Sequence, residues 1–251
     1  MKQLVEAAML SAGVFSMYNG GMPAESVELL TEIPIFPLAT VLFPGAILPL
    51  HIFEDRYKEM MRHAIENQGQ FGLSYREDAG IGIETTPAVG SVGCAAKINA
   101  VMPLADGRMN MISTGLIRYR ILEVKQSAPF VIAVIEPFSD DPEPQADLSR
   151  LQNDTSALAN QFLSALQSLN DAPGPDQVEL PEEAESFSMM VASALPIDNE
   201  TKQHLLETTS TRLRLTRLRH YLVGSLSTLN QRLIKHERAK KNGHGQMRDQ
   251  T

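Results

Sequence analysis

The sequence predicts an α+β protein: a β-rich N-terminal half shaped as a small irregular barrel, then an all-α half ending in one long helix. Three observations carry this. Residues 33–57, IPIFPLATVLFPGAILPLHIFEDRY, place Pro34, Pro37, Pro44 and Pro49 among short apolar runs. Proline removes a backbone donor, so such strands are short and bent and belong at sheet edges, strand starts or bulges. Residues 136–147, EPFSDDPEPQAD, are acidic and proline-rich and read as a linker. Beyond them the apolar period changes from that of strands to that of helices.

Taken in order, residues 1–30 are expected to be an extension, ending at the turn Asn19-Gly20-Gly21. Lys2 ahead of an apolar stretch gives it a faint likeness to a signal peptide, but Glu6 interrupts that stretch. The barrel is expected over 31–140. Within it Glu54-Asp55 offers a cap for a helix from about Arg56 to Asn67, ending near Gly69. Asp106-Gly107 marks a hairpin, because glycine tolerates positive φ. Ile117-Arg118-Tyr119-Arg120-Ile121 alternates as a half-buried strand does, and Phe130–Ile135, FVIAVI, suits a more buried one.

The helical bundle is expected over 141–240. Leu148, Leu151, Leu158, Phe162, Leu166 and Leu169 mark its first helix, with Asp147 as N-cap and NDAPGP at 170–175 as its stop. Phe187, Met190, Val191, Ala194 and Leu195 mark a second, ending at Pro196, and a short third covers about Glu200–Thr208. Leu215, Leu218, Leu222, Leu226, Leu229 and Leu233 form one stripe on the last. From Thr211 to Lys240 that helix would be roughly 45 Å long. Its C-terminal part is expected to project or to pair, which would serve a homodimer, and 241–251 follow as a flexible tail.

Composition narrows function. Of 251 residues, 43% are hydrophobic and 21% charged, as in ordinary globular proteins, and the lone cysteine Cys94 excludes an internal disulfide or a multi-cysteine zinc site. One cysteine also fits a reducing, cytoplasmic compartment. No apolar run approaches the roughly 20 residues that span a bilayer, so no membrane role is expected. Net charge is −8, yet ten Lys/Arg against two acids give residues 212–251 a charge of +8, leaving −16 elsewhere. That opposition fits either a nucleic-acid tail or a basic helix lying on an acidic body.

Catalytic and metal patterns are absent from the sequence. The six histidines lack metal spacing: His236-Glu237 has no second histidine four residues on, and His244 falls in the tail. His51 is expected to pack beside the barrel, and Cys94 to be a small buried residue. Gly90-Ser91-Val92-Gly93 fails the G-x-S-x-G spacing of a nucleophile elbow. Gly80-Ile81-Gly82 starts a dinucleotide-like pattern, but Thr85 stands where its third glycine is needed. The sequence therefore implies no catalytic residue, no cofactor and no metal.

Residues 33–57 closely resemble the opening of the amino-terminal domain of Lon proteases. The resemblance rests on Phe43-Pro44-Gly45 and on the run Leu48-Pro49-Leu50-His51-Ile52-Phe53-Glu54-Asp55-Arg56-Tyr57. It continues at Val92–Ile98, at Gly115-Leu116-Ile117-Arg118-Tyr119-Arg120-Ile121, and at Ala194-Leu195-Pro196 followed by Lys202–Glu207 and Arg212-Leu213. It spans about 31–222 and implies a PUA-like β pseudo-barrel followed by an α-helical bundle. Full-length members carry ATPase and Ser-Lys peptidase modules. No Gly-Lys dipeptide occurs here, so the phosphate-cradling G-x-x-x-x-G-K-[ST] loop is absent from these residues. The resemblance thus implies the stand-alone form: not an enzyme, but a cytoplasmic protein- or peptide-binding module like the family's substrate-recognition domain.

The motif residues expected to shape or line the binding barrel are Phe43, Pro44, Gly45, Leu50, Phe53, Glu54, Arg56, Tyr57, Gly115 and Arg118. Glu54 is expected to form a structural ion pair with Arg56 or Arg118. Phe43, Ile47, Met60 and Met61 are apolar candidates for contact, read first as core. The expected partner is an unfolded or partner protein. RNA or other nucleic acid is the alternative, because PUA-like barrels occur in RNA-binding proteins, but the basic residues lie on a leucine-striped helix without interleaved aromatics. The imide-binding tryptophan cage of the related cereblon group has no counterpart, since the chain has no Trp.

Overall fold

The computed structural model describes residues 31–77, 86–170 and 180–243, together with Leu29. The expected extension at 1–30, the Gly80-Ile81-Gly82 stretch, the NDAPGP stop after Asn170 and the tail from 244 on lie mostly or wholly outside those residues. The chain runs β1 (Glu32–Leu38), β2 (Ile47–Ile52), α1 (Asp55–Glu66), β3 (Gln70–Tyr75), β4 (Val92–Pro103), β5 (Met109–Gln126) and β6 (Val131–Pro137). Among the described residues four helices follow: α2 (Gln145–Asn170), α3 (Ala184–Ala194), α4 (Asn199–Glu207) and α5 (Thr211–Gly243). The α+β reading, strands first and helices after, is what the structure has.

Strand order is β2-β5-β4-β3-β1-β6, and a further β5–β6 pairing closes the sheet into a barrel. The 18-residue β5 makes this possible: its first part pairs with β2 and its second with β6, while β4 runs alongside much of both. The β4–β5 hairpin turns at Asp106-Gly107 as expected, with Gly107 at φ +80.

Prolines in β1 sit where the ladder does not need them. β1 is an inner strand, not an edge, but only Ile35 is paired on both sides: β6 takes 32–35 and β3 takes 35–38. The Thr31 carbonyl accepts from Ile135 and the Leu38 carbonyl from Arg76. Because backbone polar groups alternate in direction along a strand, odd positions face β6 and even ones face β3. Pro34 therefore points toward β3 before that pairing begins, and Pro37 toward β6 after that pairing has ended. Pro49 lies on β2, the edge strand.

Inside the barrel Ile33, Ile35, Ala95, Tyr119, Ile121, Val131, Ala133 and Ile135 form one core. Tyr119 donates to the Leu73 carbonyl at 3.1 Å, and its ring occupies space a side chain at Gly72 or Gly93 would fill. The other core joins α1 and the barrel wall to the helices, from Phe43 and Met60 through Phe162 and Phe187 to Leu215 and Leu222. The FVIAVI strand alternates in burial rather than being enclosed on both faces, because its second face is only half covered.

Several local expectations shift. Helix α1 starts at Asp55, and Glu54, at the N-cap, makes no side-chain cap bond. Asp147 lies within the first turn of α2, which starts at Gln145, so it is not the cap. The leucine stripe of α5 is buried as far as Leu229, and Leu233 is half-buried.

Residues 138–144 are the expected connection between the two halves, and they form a strap bonded to the helices. Asp141 Oδ2 accepts from Thr209 Oγ1 at 2.8 Å, and Glu143 accepts from Ser210 Oγ and from the Arg212 backbone N–H, each at 2.8 Å. Arg212 also pairs with Asp147 at 3.0 Å. Fourteen acidic residues against Arg150 and Lys202 make 139–211 the acidic part of the chain. At its start, then, the basic helix lies on an acidic body.

Candidate functional site

The run Leu48–Phe53 alternates in direction as a strand must. Ile52 is buried and Leu48 and Leu50 are half-buried, whereas Pro49, His51 and Phe53 are exposed. Register sets Pro49 beside Ile112 and Ile112 beside Ala100, then His51 beside Asn110 and Asn110 beside Met102. One outward face of β2, β5 and β4 thus gathers Pro49, His51, Ala100, Met102 and Ile112, with Phe53 next to His51. Met102, Phe53 and Ile112 are 63%, 47% and 44% exposed. Their ladder neighbours Ile52, Met109 and Met111 point the other way, into the core.

His51 Nδ1 and Asn110 Oδ1 lie 2.7 Å apart, and the His51 and Phe53 rings stack at 6.1 Å. None of the six side chains is an acid or a Lys/Arg. Lys97, at the border, donates to the Gln68 carbonyl at 2.7 Å, and at the hairpin tip Arg108 pairs with Asp106 at 2.6 Å. A hollow of about 330 Å³ lies here, lined by Pro49, Leu50, Val101, Met102 and Ile112 among others. The face is apolar and exposed, and it lies beside an edge strand.

The residues singled out from the sequence fall in three other arrangements as well. Phe43 is fully buried, and its carbonyl would lie 2.2 Å from a Cβ at Gly115. The Gly45 N–H donates to the Gly115 carbonyl at 2.8 Å with Gly45 at φ +76, and the Gly115 N–H donates to the Ala46 carbonyl at 2.9 Å. Phe43, Pro44, Gly45 and Gly115 thus form a backbone clasp where β2 leaves the barrel. Met60 and Met61 are buried as well, so of the four apolar candidates only Ile47 reaches the surface, half-buried.

Glu54 pairs with Arg56 at 3.0 Å, and Arg56 stacks over Tyr57, whose ring packs on Phe36 at 4.5 Å. Arg118 is elsewhere. It is 1% exposed, at the seam between barrel and helices, contacting Asp140 at 2.5 Å and Glu185 at 2.8 Å and donating to the Leu206 and Thr208 carbonyls. Arg214, fully buried, shares Asp140 and also bonds Ser188 and the Thr208 carbonyl. Thr211 Oγ1 donates to the same carboxylate. Burial pushes the Arg214 guanidinium below its ordinary value while Asp140 holds it up. Every strong donor here is answered, so the cluster reads as a joint between the halves rather than a reaction site.

Cys94 is buried, and burial pushes its thiol far above the ordinary range. Among the described residues no three His, Cys, Asp or Glu side chains group as a metal site. No helix among them is long and apolar enough to cross a membrane.

Residues 32–224 match the family model of the ATP-dependent protease La (LON) substrate-binding domain. The chain belongs to this family. Lon protease of Koribacter versatilis is 26% identical over 197 residues, covering 77% of this chain and 24% of that protein. Lon protease of Phenylobacterium zucineum is 25% identical over 216 residues, covering 84% of this chain and 27% of that protein. The chain spans about a quarter of the length of these relatives. Among solved structures, the Lon N-terminal domain protein of Xanthomonas campestris is 25% identical with a TM-score of 0.53, covering 75% of this chain and 97% of that one. The N-terminal domain of the Mycobacterium avium complex Lon protease shares the fold at 20% identity and a TM-score of 0.57, covering 76% of this chain and 98% of that one.

Sequence reasoning had the Lon motif but not its face. Of the residues chosen, only Phe53 projects outward from it and Leu50 borders the hollow. Pro49, His51, Met102 and Ile112, which share the outward face, were not singled out from the sequence. The period of two within Leu48–Phe53, fixed by one core residue such as Ile52, was the signal available.

Proposed function

We propose that this chain is a non-catalytic, cytoplasmic module that binds unfolded protein segments on the outward face of β2, β5 and β4. One observation carries the reading: in a Lon substrate-binding domain, the motif strand turns Pro49, His51 and Phe53 to solvent beside Ile112 and Met102. Such an uncharged patch gains free energy by covering apolar surface, on the order of 25 cal/mol per Å². Side chains of an extended segment can lie across the pleats with alternate residues down. The nucleic-acid alternative draws less support, since Arg214 is buried in the joint and Arg212 pairs with Asp147.

The test uses the full chain and fluorescein-labelled, reduced and carboxymethylated α-lactalbumin, read by anisotropy. The double substitution Phe53→Ser, Ile112→Ser is expected to weaken binding roughly tenfold or more, consistent with the loss of two exposed apolar contacts. Melting should shift little, because both side chains are about half exposed already. Undiminished binding by the double variant would refute this assignment.

A further inference from the structure

Two cavities open side by side on the helical half and meet at Tyr221. One, of about 580 Å³, lies between α4 and α5 and reaches Arg217. The other, of about 370 Å³, lies between α2 and α5, with Phe162 and Leu166 beneath and Gly224, Thr228 and Arg232 along the helix. Together they make a trough on one flank of α5. From Arg217 to Arg232 it runs roughly 22 Å at the helical rise of 1.5 Å per residue. A Cβ at Gly224 would meet nothing within 4 Å, so a partner's backbone can come close at the midpoint.

The trough has a charge as well as a shape. From Thr211 to Lys235 there is no Asp or Glu, against Arg212, Arg214, Arg217, Arg219, Arg232 and Lys235. The strap and joint take up Arg212 and Arg214. Arg217, Arg232 and Lys235 have no ion-pair partner among the described residues, and Arg217 meets only the neutral Thr208 hydroxyl, at 3.1 Å. By helical periodicity Arg217 and Lys235 point the same way, with Arg232 about 60° off. The acid in the trough, Glu207, is already engaged by Gln203 at 2.9 Å and by His204 at 3.5 Å.

We propose that this trough binds an acidic, amphipathic segment of a partner protein, at a site separate from the barrel face. Its apolar side would lie on Tyr221 and over Gly224, and its carboxylates would meet Arg217, Arg232 and Lys235. A second copy fits badly. Antiparallel pairing of two α5 helices about Gly224 would set Arg217 of one copy against Gln231 and Arg232 of the other, cation facing cation. RNA matches the charge, but the half-buried Tyr221 is a poor stacking platform for its bases.

The experiment uses the full chain and a labelled helical peptide of about 15 residues, the length that fills the trough, with Leu and Phe on one face and Glu on the other. A second peptide replaces every Glu with Lys. The acidic peptide is expected to bind at least roughly tenfold more tightly, and the preference should shrink with added salt. Gly224→Leu fills the trough at an exposed helical position, where leucine favours the helix, so the chain should keep its fold while losing most of this binding. The triple change Arg217→Glu, Arg232→Glu, Lys235→Glu should reverse the peptide preference, with circular dichroism checking both folds. No binding of the acidic peptide, equal binding of the two peptides, or acidic binding that survives Gly224→Leu would overturn the proposal. An RNA oligonucleotide that binds the Gly224→Leu chain undiminished and displaces the acidic peptide would assign the basic flank to nucleic acid instead.

Discussion

Replacing Asp140 by Ala should be among the most damaging single changes outside the apolar cores. Its carboxylate is 4% exposed and accepts from Arg118 at 2.5 Å, from both terminal nitrogens of Arg214, and from Thr211. Truncation leaves two guanidinium groups, 1% and 0% exposed, of which Arg118 keeps a paired carboxylate, Glu185, itself partly open to solvent, and Arg214 keeps none. Breaking a buried ion pair from one side costs about 3–5 kcal/mol, because the remaining charge stays desolvated. For a chain of this size each kcal/mol moves the melting point by about 2–4 °C, so a fall of roughly 6–20 °C is expected. The assay is urea unfolding of the full chain, with Asp141→Ala as control. Asp141 is next in sequence, is itself exposed and bonds only Thr209, so its loss should cost about 1 kcal/mol. The triple variant Arg118→Met, Asp140→Leu, Arg214→Met removes all three charges and should recover much of the loss. A cost for Asp140→Ala no larger than for Asp141→Ala would refute the reasoning.

Three further outcomes are expected. Gly115→Ala should destabilise by about 3 kcal/mol or more, since its Cβ would lie 2.2 Å from a backbone oxygen that cannot move aside, and denaturant melts would show it. Asp198→Ala removes the cap that accepts from the Thr201 N–H at 2.7 Å and should cost about 1 kcal/mol at pH 7. That bond holds the Asp198 carboxyl below its ordinary value, so its contribution is complete above about pH 5. It fades as pH falls through the ordinary value toward the lower folded one, and the difference between wild type and variant should shrink at pH 3. Glu54→Ala breaks a pair whose side chains are 20–26% exposed, and about 0.5–1 kcal/mol should be lost in melting with segment binding nearly unchanged.

The sequence was most legible where one local rule decides the outcome. Helical spacing located α2 to α5 within a few residues, and Asp106-Gly107 located the hairpin, because both signals are short-range. Alternation in Ile117–Ile121 said that Arg118 and Tyr119 face opposite ways, but not what covers the second face. That cover comes from α3, α4 and the strap, far along the chain, so a charge read as half-exposed is among the most buried side chains. The acid and proline content of 136–147 marked the connection between the two halves but not its bonding, for a related reason. Composition reports solubility of a segment in isolation, whereas its carboxylates find partners on β5 and α5. The outward face of β2, β5 and β4 fell between these cases: its first strand was recognised, and which of its residues look outward was there to be read.

The prolines of β1 carry a consequence for a protein whose proposed work is to hold unfolded chains. Each half of β1 has one flank without a strand, and an open flank is a template on which a foreign strand can grow into an aggregate. Pro34 and Pro37 place a missing donor on each of those flanks. A captured segment that strays onto either flank of β1 therefore meets a ladder with a donor missing.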